Sequence, residues 1–390
     1  FNVEISNKPF HNALDKEDVY KIPQELSSNL LQQLSKHFKK SRHYRNGTEL
    51  IKQMCKQFGV NDVILIDGTE IALRYSCALN FECKGKGRKQ KDDADSDTKP
   101  GLKLHVAYSL TKQTIEYITI TEACGSERDE VLFDKFKNCL FIMDRGYVSS
   151  KLEKDIATSG NYFLIKDKKN TAGTIIKAFN KAGDALTKCL GKKISSLKEA
   201  YTDEEYLDFD VETKQGHNVR VIRAKSSDRD GNTGFVYLRT NLKRGVISCF
   251  QLHQLYRTRW TVELFMKALK TGNSLQAINS SKKHIILFFV IMSVVTSLIK
   301  TYIGLLTLQD TPGIKALSML KLHSCCIFKE FFRKACFVKK TVFYERLKKV
   351  KDFISSNCQR TKPSARDALK LKDMILLVNS IIHNKPITTL

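Results

Sequence analysis

At 390 residues and 42% hydrophobic, the chain has material for one large core or two to three ordinary ones, which excludes wholesale disorder. Its 66 Lys and Arg against 41 Asp and Glu leave a net charge of +25, an excess that repels further copies and favours a polyanion, usually nucleic acid and sometimes an anionic membrane. Eleven scattered cysteines with no CxxC pair, and nine histidines with no metal-ligand spacing, argue against a disulfide framework or zinc module and fit a reducing cytosol.

In chain order, residues 1–60 alternate polar stretches with helical patterns over 27–38 and 47–58. The chain opens on Phe1, which suggests a fragment or trimmed start, and nothing near it resembles a signal peptide. Lys36, Lys39, Lys40, Arg42 and Arg45 form a basic cluster, readable as solvated surface or as a remnant DNA-binding part. From Val63 the pattern is strand-like. Residues 63–67, 102–108 and 115–121 read as three strands, 126–136 as a helix, 140–144 as a strand, 151–159 as a helix and 162–166 as a fifth strand. The charged stretch between 81 and 100 has nothing to bury and reads as a mobile loop. Its Asp92, Asp93, Asp95 and Asp97 lack the glycine and glutamate of a calcium loop. Period-two stretches at 206–212, 218–224 and 234–239 make 170–245 a β-rich insertion. Residues 252–270 read as one helix, with Leu255, Val262, Phe265, Met266 and Leu269 on its apolar arc. The apolar run 285–299 is shorter than the ~20 residues of a membrane helix, so a buried core helix is expected and no membrane partner. Beyond 311 the chain is helical and basic, with aromatics among the cations. That composition suits either phosphate binding or a helix merely kept soluble.

Chemistry concentrates in three of these stretches. Two apolar strand-like runs end in aspartate: one enters Asp67-Gly68-Thr69, the other Asp144-Arg145-Gly146-Tyr147. The helix 252–270 sets Tyr256, Arg259, Glu263 and Lys270 within an arc of roughly 60°. One carboxylate therefore stands among two cations and a phenol, an arrangement suited to a phosphate near a metal ion, or alternatively to a surface ion-pair helix.

Together these stretches resemble the DDE transposases of bacterial insertion sequences, in the insertion-sequence-four-type branch marked by Tyr-x2-Arg-x3-Glu-x6-Lys. Tyr256, Arg259, Glu263 and Lys270 match that spacing, and Asp67 and Asp144 match the first two catalytic positions. The expected fold is α/β: a ribonuclease-H-like mixed five-stranded sheet with flanking helices, interrupted by the β-rich insertion before the catalytic helix. The expected division is a helical 1–60, a catalytic domain from 61–169 and 246–310, the insertion 170–245, and a basic helical 311–390.

The resemblance implies metal-dependent cleavage at transposon ends and strand transfer into target DNA. Asp67, Asp144 and Glu263 would hold two Mg2+ ions, for which Mn2+ substitutes. Tyr256, Arg259 and Lys270 would bind DNA phosphates. Double-stranded DNA is the implied partner, a homodimer the implied form on DNA, and the bacterial cytoplasm the implied location. The insertion lacks a tryptophan to hold a flipped base, so a hairpin intermediate is less secure than cleavage. Two alternatives stay open at this point: an inactive DNA-binding relic, and a structure-specific nuclease on the same fold.

Overall fold

A computed structural model describes residues 7–38, 42–81, 100–112, 114–167, 173–197, 201–227, 233–273, 275, 278–311, 317–335, 338–359 and 371–385. The charged insert, with the aspartates weighed for calcium, and the side chains of the basic cluster at 36–45 lie outside the described residues.

Three helices, α1 (Asn7–Leu14), α2 (Lys21–Phe38) and α3 (Arg42–Gln57), lead into β1 (Asp62–Ala72). β2 (Gly101–Ser109) and β3 (Thr114–Glu122) follow as an antiparallel meander. β4 (Cys139–Met143) then pairs parallel with β1. After α4 (Ser150–Thr158), β5 (Tyr162–Lys166) pairs parallel with β4. β4 is buried along its whole length and reads CLFIM, the unbroken apolar run that a central parallel strand with two covered faces requires.

The expected five strands are a correction: the sheet has nine, in the order β3-β2-β1-β4-β5-β9-β8-β7-β6. The insertion contributes β6 (Thr174–Asn180), β7 (Tyr206–Glu212), β8 (Asn218–Ser227) and β9 (Thr233–Thr240), and β9 docks antiparallel on β5. A sheet ending at β5 would leave a row of unpaired backbone groups, and β9 covers it. β6 escapes a period-two reading because its register slips between Ile175 and Lys177.

The expected helix over 126–136 does not form. That segment runs in turns, with only a 3-10 turn at Phe133–Lys135. Its first five residues, Ser126-Glu127-Arg128-Asp129-Glu130, offer no apolar group to bury, and a helix this short is marginal without tertiary packing. The Tyr117 hydroxyl anchors the segment instead, donating to the Glu130 carbonyl at 3.3 Å and accepting from the Leu132 N–H at 3.1 Å.

The two faces of the sheet carry separate cores. On one, Val63, Leu65, Leu140, Ile142 and Leu164 meet Met54 and Phe58 of α3 together with the helices that come after the sheet. On the other, Ile64, Ile66, Phe141, Met143 and Ile165 meet Leu152 and Ile156 of α4. At the β5–β9 junction this second face buries a charged network. Arg239 Nη2 lies 3.0 Å from Glu153 Oε2 and Arg239 Nη1 3.5 Å from Asp167 Oδ2, with His217 Nε2 at 3.7 Å from Glu153.

The expected single helix over 252–270 is also a correction. α5 (Cys249–Tyr256) and α6 (Trp260–Gly272) are joined by a 3-10 turn, Arg257–Arg259. The buried Thr258 hydroxyl donates back to the Leu255 carbonyl at 2.7 Å, a local bond that competes with helix geometry. The start of α5 is fixed by a capping box: Ser248 Oγ accepts from the Gln251 N–H at 3.1 Å, and Gln251 Oε1 accepts from the Ser248 N–H at 2.9 Å.

α7 (Lys283–Asp310) is 28 residues long, nearly twice the expected run. Its Lys283–Thr307 stretch is long and apolar enough to cross a membrane, as core helices can also be; 44% of its most apolar window is buried inside the protein. Ile286, Val290, Val294 and Leu298 recur every four residues and enter the first core. α8 (Met319–Ser324), α9 (Ile327–Ala335) and α10 (Lys340–Asn357) build a small core of their own around Phe328, Phe331, Val350 and Ile354, against Ile303 of α7. α11 (Leu371–Ile382) returns to the main core through Leu377, Val378 and Ile381.

Candidate active site

Asp67 was expected at a strand end but lies inside β1, which continues to Ala72. It stands two residues past Leu65, the last residue of β1 that pairs with β4. β4 stops at Met143, so Asp144 follows its last residue directly. The two aspartates therefore sit where the central parallel strands part, and each is half-buried.

α6 brings the third carboxylate. Val262, Phe265, Met266 and Leu269 bury one arc against the sheet and leave Glu263 half-buried beside it. Arg259, last residue of the 3-10 turn, ties the set together. Its Nη1 lies 3.3 Å from Asp67 Oδ1, and its Nη2 pairs with Glu263 Oε1. Tyr256 donates its hydroxyl to Asp144 Oδ1 at 3.2 Å, and the Arg259 guanidinium stands 5.8 Å from the Tyr256 ring centroid. Contacts through Arg259 and Tyr256 thus link Asp67 of β1, Asp144 just after β4 and Glu263 of α6, residues far apart in sequence. Among the described residues no three acidic, His or Cys side chains are grouped closely enough to hold one metal ion; the Arg259 guanidinium lies between Asp67 and Glu263.

The electrostatics arise from this packing. Burial pushes the Asp67 carboxyl up to about 6; Arg259 pulls it down, and the charges of Glu263 and Asp144 add to the rise. Asp144 is also raised by burial, but the Arg145 N–H, Arg259, Lys166 and the Tyr256 hydroxyl outweigh that and hold it below the usual carboxylate range. Two carboxyls in one site are driven apart, as happens where environments are built for different roles. Burial lowers the Lys270 ammonium, partly offset by Glu70 and Asp67. Lys270 makes no direct contact with Asp67 of the kind Arg259 makes, and of the four matched helix residues it is the least engaged. Trp260 is half-buried under the Lys267 ammonium, 4.3 Å from the ring centroid.

Glu127 escaped the sequence reading because its segment looked helical. A Cβ on Gly146 would lie 3.0 Å from Glu127 Oε2, and one on Gly68 would lie 3.6 Å from Glu127 Cδ. Lys103 Nζ holds this carboxylate at 3.1 Å, and Arg128 Nε donates to the Gly146 carbonyl at 3.1 Å. The signal was the glycine after each aspartate, since a glycine beside a site marks close approach by another group.

A family model, that of the transposase DDE domain, matches residues 59–296, more than half of the chain. The chain belongs to this family. A comparison with curated proteins gave no match. The matched span of this DDE transposase holds Asp67, Asp144 and Glu263 and reaches into α7; α8 to α11 lie beyond it. Membership makes it a transposition enzyme of the nuclease/transferase type, with DNA as its partner.

DDE transposases generally use divalent metal ions. The donor set fits such ions in kind, being all carboxylate oxygen, the ligand that hard cations prefer. Crowding and burial of the Asp67 charge mean that a cation placed there gains more than at a solvated carboxylate.

Proposed function

We propose that the chain is the transposase of a bacterial insertion sequence of the Tyr-Arg-Glu-Lys branch, on a ribonuclease-H-like core within the larger sheet. It cuts DNA at its element's ends and joins the 3′-hydroxyls to target DNA. The observation that carries this reading is the convergence of Asp67 and Glu263 on one guanidinium, with Asp144 held beside them by Tyr256. A surface ion-pair helix would have no reason to reach two aspartates on separate strands.

Asp67, Asp144 and Glu263 are the residues that would hold Mg2+, or Mn2+ in its place. A divalent pair supplies activation of the attacking oxygen and stabilisation of the leaving one. The protein's own residues do the rest. Arg259 exchanges its carboxylate partners for phosphate oxygens when DNA enters, and its planar fork suits two of them. Tyr256 orients Asp144 and has a hydroxyl to offer phosphate, and Lys270 gives a point charge one turn beyond Met266. The site's half-burial restricts water around the attacking group. On DNA the protein acts as a homodimer, in the bacterial cytoplasm.

The deciding experiment supplies labelled DNA carrying the element's terminal repeats, with Mg2+, and tracks nicking and joining. Nicks at the repeat ends that vanish in Asp67→Asn, Asp144→Asn and Glu263→Gln variants support the reading. Undiminished cutting by any of the three variants refutes the assignment of these carboxylates.

A further inference from the structure

Residues 319–357, beyond the part matched to the family, carry ten Lys and Arg against three Asp and Glu. Six of these cations, Lys329, Arg333, Lys339, Lys340, Lys348 and Lys349, are exposed, and among the described residues none of the six makes an ion pair. Lys351, by contrast, is half-buried and paired with Asp310 of α7. The division is by face. α9 and α10 turn Phe328, Phe331, Val350 and Ile354 into their own core and leave the cations outside.

On α10 the outer face has an order. Lys340, Tyr344 and Lys348 recur at four-residue intervals, about 6 Å apart along the axis. Tyr344 is 56% exposed, a large aromatic left in solvent, with the Lys340 ammonium 5.9 Å from its ring centroid. Like charges repeated along one helix face oppose folding, and a polyanion relieves that opposition. An exposed aromatic between cations also suits a nucleic-acid backbone, since its apolar body packs and its hydroxyl donates to phosphate.

This face follows α8, which packs directly on the end of α6. α6 ends against α8 so closely that a Cβ on Gly272 would lie 2.6 Å from the His323 carbonyl oxygen. Lys300 of α7 binds both ends of that joint, donating to the Gly272 carbonyl at 2.9 Å and the His323 carbonyl at 2.8 Å.

We propose that the outer face of α9 and α10 is a second duplex-binding surface, which takes DNA through its phosphate backbone outside the catalytic cleft. This rests on the reading of the chain as a DNA-processing transposase. The surface adds affinity without sequence preference, because phosphates are alike at every base pair.

The test compares the full-length parent with a Lys340→Gln/Lys348→Gln/Lys349→Gln variant in binding a 40-base-pair duplex without terminal repeats. Salt is varied from 50 to 200 mM in the absence of divalent ions. Loss of three phosphate contacts makes the slope of log K against log salt shallower by about 2.7, so across that range the parent loses about 40-fold more affinity than the variant. The matching triple Lys→Arg variant keeps the parental slope. Equal slopes for the parent and the glutamine variant overturn the proposal, as does parental binding to anionic phospholipid vesicles without binding to the duplex. If the triple variant melts early, Lys348→Gln alone carries the same test at a slope change of about 0.9. Failure here is distinguishable from failure of the proposed reaction: the slope is read on repeat-free duplex without divalent ions, whereas cutting is read separately on terminal-repeat DNA with Mg2+.

Discussion

Asp67 shows what the candidate site costs the fold. Its folded carboxyl titrates at about 6, against 3.8 ordinarily, so the folded state holds that proton more tightly than the unfolded chain does. The resulting stability is present at low pH and is lost as pH rises between about 4 and 6, after which the loss is constant. At pH 7 the buried charge costs up to about 3 kcal/mol. Asp67→Asn should therefore raise the melting temperature of the metal-free protein at pH 7, by several degrees at most, while abolishing strand cleavage. A lower melting temperature would mean that Asp67 stabilises the fold through Arg259. Arg259→Lys is the companion prediction. It keeps the charge beside Asp67 and Glu263 but removes the fork, and cleavage should fall by at least ~10-fold with folding nearly unchanged. Parental cleavage by this variant would leave Arg259 as a spacer between carboxylates.

Gly272 and Lys300 set where α6 ends, and both can be tested by removal. Gly272→Ala drives a methyl group into the His323 backbone, which has no flexible end to move, and should cost about 2 kcal/mol or more. Lys300→Met removes a 5% exposed ammonium whose pKa burial lowers to about 8, and leaves the carbonyls of Gly272 and His323 without their donor. A loss of about 1–3 kcal/mol is expected by chemical denaturation. Much at this scale is legible in the sequence. Tyr162–Lys166 and Tyr206–Glu212 are bounded to the residue, because each is a clean run closed by polar neighbours. The helical spacing of Tyr256, Arg259 and Glu263 gives away their common face, and an apolar run before each aspartate with a glycine close behind marks Asp67 and Asp144. The hidden features are decided by partners. Nothing local tells that β9 would seal the edge of β5, that Thr258 would tighten one turn of a helix, or that Glu127 would lie against Gly146 rather than on a helix surface.

Across the whole molecule, the sheet joins two halves through a buried charge network whose members come from α4, the residue after β5, β9 and the β7–β8 turn. Burial raises the Glu153 carboxyl to about 7; Arg239 pulls it down, and the charge of Asp167 adds to the rise. With a folded value above the ordinary 4.5, Glu153 takes away stability as pH rises from about 4.5 to about 7. Glu153→Gln should flatten that decline, by on the order of 2 kcal/mol between pH 5 and pH 7, as read from denaturation midpoints. An undiminished decline would place the titrating charge elsewhere. The joint between β5 and β9 also has a meaning in time. As the chain leaves the ribosome, β5 is complete at Lys166, yet its covering strand begins only at Thr233. At ~5–20 residues per second that edge waits on the order of several seconds, uncovered, beside a central sheet that is already apolar on both faces. Glu263 emerges later still, and Leu377, Val378 and Ile381 of the main core come near the very end. The three carboxylates of the candidate site are therefore brought together only after the edge is sealed, and a nascent chain stalled between the two strands bares that edge while the site still lacks Glu263.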